Sequence, residues 1–146
     1  MDVKKKAAVL IKRYHTDDPA KIAVAMGIKI IYGDLGGVNY GSYIKYNRAK
    51  LIILDSNRMP ASMLPFVTAH ELGHAVCTPD ANTAWMRSYT MAVNADIVER
   101  VANQFAVELL LGDKYLQDHS ECSIYQLSRA KGVPSDMIRL KNFKHL

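Results

Sequence analysis

Apolar residues at Ala7, Leu10, Ile11 and Tyr14 recur at the three-to-four spacing of one helix face and predict a helix over residues 3–15. Asp17-Asp18-Pro19 interrupts that spacing and starts a second helix, because a carboxylate can cap exposed backbone N–H groups and proline is tolerated in the first turn. Gly27 closes it after Met26. The pattern then turns extended: Ile28-Lys29-Ile30-Ile31-Tyr32 is rich in β-branched and aromatic residues, and the turn formers of 33–37 follow. Residues 38–46 and 49–54 read as two further strands joined across Asn47-Arg48, giving a three-stranded, mostly antiparallel sheet. Pro60 opens and Pro79 ends a long apolar helix over 60–78. A loop of about a dozen residues follows, a length at which loops often line sites. A second long helix over 92–111 stops at Gly112, and short helical stretches follow at 114–117, 123–131 and 135–143. The expected class is α+β in one domain: N-terminal helices (1–26), a small sheet (28–54), two long helices (60–78 and 92–111) and a helical tail (113–146).

Composition narrows this picture. With 146 residues, 49% hydrophobic and 23% charged, the chain can build one core and leaves no room for a second catalytic domain. No apolar run approaches the roughly 18 to 20 residues of a membrane span, and the first residues carry no small-residue cleavage site, so a cytoplasmic location is expected. Cys77 and Cys122 form neither a disulfide framework nor a C-x-x-C pair and read as reduced thiols, with Cys77 one turn past His74. The net charge of +5 comes partly from Lys4-Lys5-Lys6 and from Arg139, Lys141 and Lys144, clusters expected to be solvated basic faces.

Chemistry concentrates in His70-Glu71-Leu72-Gly73-His74. A helix advances about 100° per residue, so positions four apart lie within roughly 40° of each other and both imidazoles can reach one metal ion. Glu71, offset beside them, is placed to act as a base toward water activated by that ion. Met63, Leu64, Phe66, Val67, Leu72, Ala75 and Val76 surround the motif, as suits a helix mostly buried with one polar face on a cleft. The plainer reading is a core helix with two hydrogen-bonded histidines.

A catalytic zinc usually takes a third protein ligand. Glutamates after Glu71 occur only at 99, 108 and 121. Glu99 shares a helix face with Asn103, and small Ala102 and Ala106 beside them allow another helix to approach closely, so Glu99 is the leading third ligand. Glu108 falls about 180° around that helix and is expected at the surface or at a cap. Asp96, one turn before Glu99, is the rival, its shorter side chain suiting it to support a ligand. Asn103 can orient a ligand histidine through the ring nitrogen not bound to metal, or serve as an ordinary interhelix hydrogen bond.

The motif at 70–74, followed by Glu99-x-x-Ala102-Asn103-x-Phe105-Ala106-x-Glu108-Leu109-Leu110, resembles the ImmA/IrrE family of compact metallo-endopeptidases, relatives of the gluzincins. The likeness covers nearly the whole chain in element order. It implies a zincin-like fold, Zn2+ held by His70, His74 and Glu99, and Glu71 as general base. It also implies an antirepressor that cleaves a helix-turn-helix transcriptional repressor. The chain departs from that pattern in three places: Pro65-Phe66-Val67-Thr68-Ala69 replaces an Arg-Phe-Thr run, Val101 stands where members often carry a second glutamate, and a proline near Gly112-Asp113 is missing.

Candidate donors to a developing oxyanion or contacts to substrate are Tyr43, Trp85 and Tyr89, with Tyr40 and His119 as further donors. Trp85 equally suits loop packing. The segment 41–45 offers a sheet edge on which an extended peptide could add as a strand. Two other functions compete. A protein that binds and sequesters the repressor without cutting it needs no general base. A DNA-binding module is suggested by helices at 123–131 and 135–143 around Gly132-Val133-Pro134, although direct binding to nucleic acid is not expected from so common a spacing.

Overall fold

A computed structural model describes the chain over residues 1–81 and 92–144, with 92–95 as backbone alone. Helix α1 (Val3–Tyr14) begins where the Asp2 side chain accepts the Lys5 N–H, and it ends at His15 in a left-handed conformation. Helix α2 (Pro19–Ala25) is capped by Asp18, which accepts from the N–H groups of Ala20 and Lys21. Strands β1 (Lys29–Tyr32), β2 (Gly41–Tyr46) and β3 (Ala49–Leu54) form a sheet in the order β1-β3-β2. The hairpin pairs antiparallel, with Tyr43 opposite Ile52, and its turn carries Asn47 at φ 55°.

β1 joins β3 in parallel, so the sheet is mixed. The chain leaves β1, crosses the future position of β3 and enters β2 at the far side; periodicity within each strand carries no information about that crossing. Asp55, 2% exposed, fixes the crossing loop. Its carboxylate accepts the Leu35 N–H at 3.0 Å and its own N–H donates to the Tyr40 carbonyl at 2.8 Å. β2 therefore starts at Gly41, and Val38 is 82% exposed in the loop.

Pro60 precedes a 3-10 turn (Ala61–Met63) that runs into α3 (Leu64–Cys77), the motif helix. Helix α4 (Ala92–Leu110) packs on α3 more extensively than any other described pair of elements. A side chain in place of Gly73 would put its Cβ 3.1 Å from both the Cα and the carbonyl oxygen of Ala102, so the missing side chain sets the approach of the two helices. Phe105, Leu72, Leu109, Tyr43 and Ile52 fill the space between helices and sheet and are fully buried. Each such aliphatic or phenyl side chain contributes roughly 1.5–3 kcal/mol. Among the described residues, no helix is long and apolar enough to cross a membrane.

The tail consists of α5 (Asp113–Asp118), α6 (Ile124–Lys131) and a 3-10 turn (Ser135–Leu140). A capping box of Ser123 and Gln126 starts α6. The second member of the supposed helix-turn-helix is thus a short 3-10 turn, which lacks the length of a groove-reading helix. Two charged residues also differ from expectation. Glu108 is buried, and the fully buried Lys141 ammonium lies 2.6 Å from it and 2.8 Å from Asp113. Lys4 joins this network, 2.9 Å from Asp113, and donates to the carbonyls of Asn142 and Lys144. Burial opposes ionisation of Asp113, but hydrogen bonds from Lys141 and Lys4 outweigh it and hold the carboxyl below its ordinary value. Two of the lysines assigned to solvated faces are therefore structural. Lys141→Met is expected to lower the free energy of unfolding by roughly 3–5 kcal/mol, because it strands a buried carboxylate. Urea titration measures this; a loss below about 1 kcal/mol would place the stabilisation elsewhere.

Candidate metal centre

Three donor side chains converge on one point between α3 and α4. His70 Nε2 is 2.9 Å from Glu99 Oε2, His74 Nε2 is 3.3 Å from Glu99 Oε1, and the two Nε2 atoms are 3.2 Å apart. Ligands on a tetrahedral ion at 2.0–2.1 Å lie about 3.3 Å from one another, so this spacing is that of a shared metal. The orientation of the rings agrees. His70 Nδ1 sits 2.7 Å from Asn103 Oδ1, an acceptor that makes Nδ1 the protonated nitrogen and leaves the Nε2 lone pair for a cation. The His74 ring is fully buried, stands at 86° to His70 and stacks on Tyr43 at 18°, which holds its edge toward the same point.

Electrostatics favour positive charge there. Burial works against an ionised Glu99, yet hydrogen bonds from His70 and His74 and the charge on those rings hold its carboxyl well below the ordinary range. Burial also works against a charged His70, but the hydrogen bond to Glu99 and the negative charge of Glu71 leave its pKa raised. Two imidazole nitrogens facing each other beside a carboxylate are better satisfied by one cation than by a shared proton. The residues fit a metal ion.

Glu71 is 1% exposed, and its carboxylate, with the His70 and His74 nitrogens, belongs to a group of candidate ligand atoms within 4.8 Å of one another. The close approach of β2 confines it: a Cβ on Gly41 would fall 2.9 Å from Glu71 Cγ and 2.9 Å from Val67 Cγ1. A cleft of about 400 Å³ opens beside His70, Glu71 and Asn103, with Tyr40 and Gly41 on its rim.

Of the other residues singled out from the sequence, Asp96 is exposed on α4. Tyr43 is fully buried and its hydroxyl donates to the Pro79 carbonyl at 2.7 Å; burial and the Asp80 charge push its pKa up to about 12. His119 lies on α5's end, its Nδ1 donating to the Tyr115 carbonyl. Tyr40 is the candidate donor that reaches the cleft wall. Trp85 and Tyr89 lie outside the described residues. Cys77 is buried, its thiol pushed up to about 11 by desolvation against the opposing charge of Lys6. The sequence did not mark Gly41 and Gly73 as the positions of close approach; a glycine at the start of β2 and one inside the apolar helix α3 were the available signals.

A small mixed sheet, a motif helix with paired imidazoles and a second helix bringing a carboxylate define a zincin-like metallopeptidase scaffold. Residues 23–141 match the peptidase M78 family model, the IrrE N-terminal-like domain, and the chain belongs to that family. It is 38% identical over 145 residues to uncharacterized immunity region protein 2 of Bacillus phage phi105, covering 97% of this chain and 90% of the phage protein. It is 31% identical over 119 residues to metallopeptidase ImmA of Bacillus subtilis strain 168, covering 80% of this chain and 67% of that protein. No solved structure gives a significant match.

Proposed function

We propose that this chain is a zinc-dependent endopeptidase that cleaves a helix-turn-helix transcriptional repressor and so acts as an antirepressor in the cytoplasm. The observation that carries the reading is the convergence of His70, His74 and Glu99 within 2.9–3.3 Å, with buried Glu71 alongside. Two imidazoles and one carboxylate are a common protein ligand set for a catalytic zinc. The phage relative's description as an immunity region protein supports a repressor as substrate.

When bound, zinc supplies a Lewis acid that brings water toward ionisation near neutral pH. Glu71, buried beside the two histidines, would accept a proton from an attacking water and return it to the departing amine. Asn103 keeps His70 in the tautomer that presents Nε2. An extended substrate entering the cleft beside His70, Glu71 and Asn103 would bring one peptide carbonyl over Glu71. Tyr40, which lines the cleft, is our candidate donor to the oxygen of the tetrahedral intermediate.

Incubation of the zinc-loaded protein with candidate helix-turn-helix repressors, followed by mass analysis of fragments, tests this. Two fragments summing to the intact repressor plus one water are expected. Derepression that persists with an intact repressor would point instead to sequestration. Gly41→Ala is expected to reduce cleavage by about a hundredfold, because the added methyl displaces Glu71 or the strand beside it. A steady-state assay at matched zinc content checks this, and an unchanged kcat would show that the strand yields without moving the base.

A further inference from the structure

The cleft beside His70 and Glu71 has a wall that comes from neither ligand helix nor sheet. Pro134, Asp136 and Met137, from the start of the tail's 3-10 turn and the residue before it, line it together with Met63, Phe66 and Val67. Four of these six side chains are large and apolar, and two are methionines, whose unbranched, polarizable side chains adapt to long apolar partners of differing shape. The remaining charge is one-sided. The carboxylates of Asp136 and Glu71 line this cleft and no described lysine or arginine does, on a chain whose net charge is +5. A cavity of about 400 Å³ is large enough for a bulky side chain and part of its neighbour.

The tail wall is held at both ends. At its start, Gly132 adopts φ +74° against Ser62 and Pro65, where a side chain would collide with the Ser62 carbonyl. Val133 next to it is buried, its N–H donating to the Ser128 carbonyl at 2.8 Å. Within the turn the Met137 N–H donates to the Pro134 carbonyl at 2.9 Å. At its far end, buried Lys141 is latched to Glu108 on α4. The backbone of this wall is thus held in place while the methionine side chains on it can adjust, so little ordering of the chain is required when a side chain enters.

Resting on the peptidase reading, the geometry points to Met137 and Asp136 as specificity-determining residues: the substrate is an extended peptide with a long apolar side chain beside the scissile bond and a lysine or arginine next to it. Met137 contacts the apolar side chain, and exposed Asp136 meets the cation at the rim. Neither touches the reacting atoms.

Two probes test this: a peptide library made by digesting a bacterial proteome, and the repressor used above, each incubated with zinc-loaded wild type, Asp136→Lys and Met137→Ala. Thermal melts confirm that the variants fold. Cut sites mapped by mass spectrometry are expected to show a long apolar residue with an adjacent basic one. Synthetic peptides matching that signature are expected to exceed alanine-substituted ones in kcat/KM by about tenfold or more. Asp136→Lys is expected to reverse the preference at the basic position, and Met137→Ala to flatten the preference at the apolar one. Cleavage without this signature, or a signature unchanged in both variants, overturns the assignment and leaves the peptidase reading intact. If wild type cuts neither probe, the peptidase reading falls and the specificity assignment falls with it.

Discussion

Glu71→Gln is expected to slow cleavage by roughly two to four orders of magnitude while leaving the zinc content unchanged. Glutamine keeps the volume of a side chain that is 1% exposed and wedged against Gly41, so the confined slot is not disturbed. What it loses is the ability to accept a proton from water and return it to the amine. Single-turnover kinetics together with elemental analysis of the purified variant separate the two properties. Retained cleavage would remove Glu71 as the base, and lost zinc would make it a ligand.

Glu99→Ala is expected to abolish both zinc retention and cleavage. The carboxylate spans the two histidines, with Oε2 2.9 Å from His70 Nε2 and Oε1 3.3 Å from His74 Nε2, so its loss leaves two donors for an ion that needs three from the protein. Zinc at a thousand times its dissociation constant stabilises a folded protein by about 4 kcal/mol, and that increment is expected in the wild type and absent from the variant. Thermal melts with and without added zinc read it directly. Asp96→Ala is the control, since Asp96 is exposed one turn away. If Asp96→Ala loses the zinc-dependent shift and Glu99→Ala keeps it, the third ligand has been assigned to the wrong residue.

The difference between what could and could not be read from the chain follows the range of the interactions. His70 and His74 are legible because four residues bring a helix round to the same face, and Glu99 with Asn103 repeats the logic on α4. The hairpin strand Ala49–Leu54 and the capping of α2 are equally local. The direction of β1 is not, because parallel pairing with β3 depends on a loop that Asp55 pins from twenty residues away. Lys141 reads as one more surface cation until Glu108, 33 residues earlier, is found beside it. Helical spacing put Glu108 on the far side of α4 from Glu99, but its burial against Lys141 is set by tertiary packing. The same holds for the cleft wall, since nothing local to Asp136 and Met137 marks them as neighbours of His70.

The contacts of Lys4 with the Asn142 and Lys144 carbonyls bear on how the molecule is made. They join residues 138 and 140 positions apart, and Asp113 is held in the same network. At 5–20 residues per second, a translating ribosome needs roughly 7–28 s to go from one partner to the other. The Lys4 contacts that fasten α1 to the tail close only after residues 142 and 144 are made, and the turn around Met137 is synthesised after both long helices. The histidines of α3 and the carboxylate of Glu99 are therefore synthesised before the turn that closes the cleft beside them.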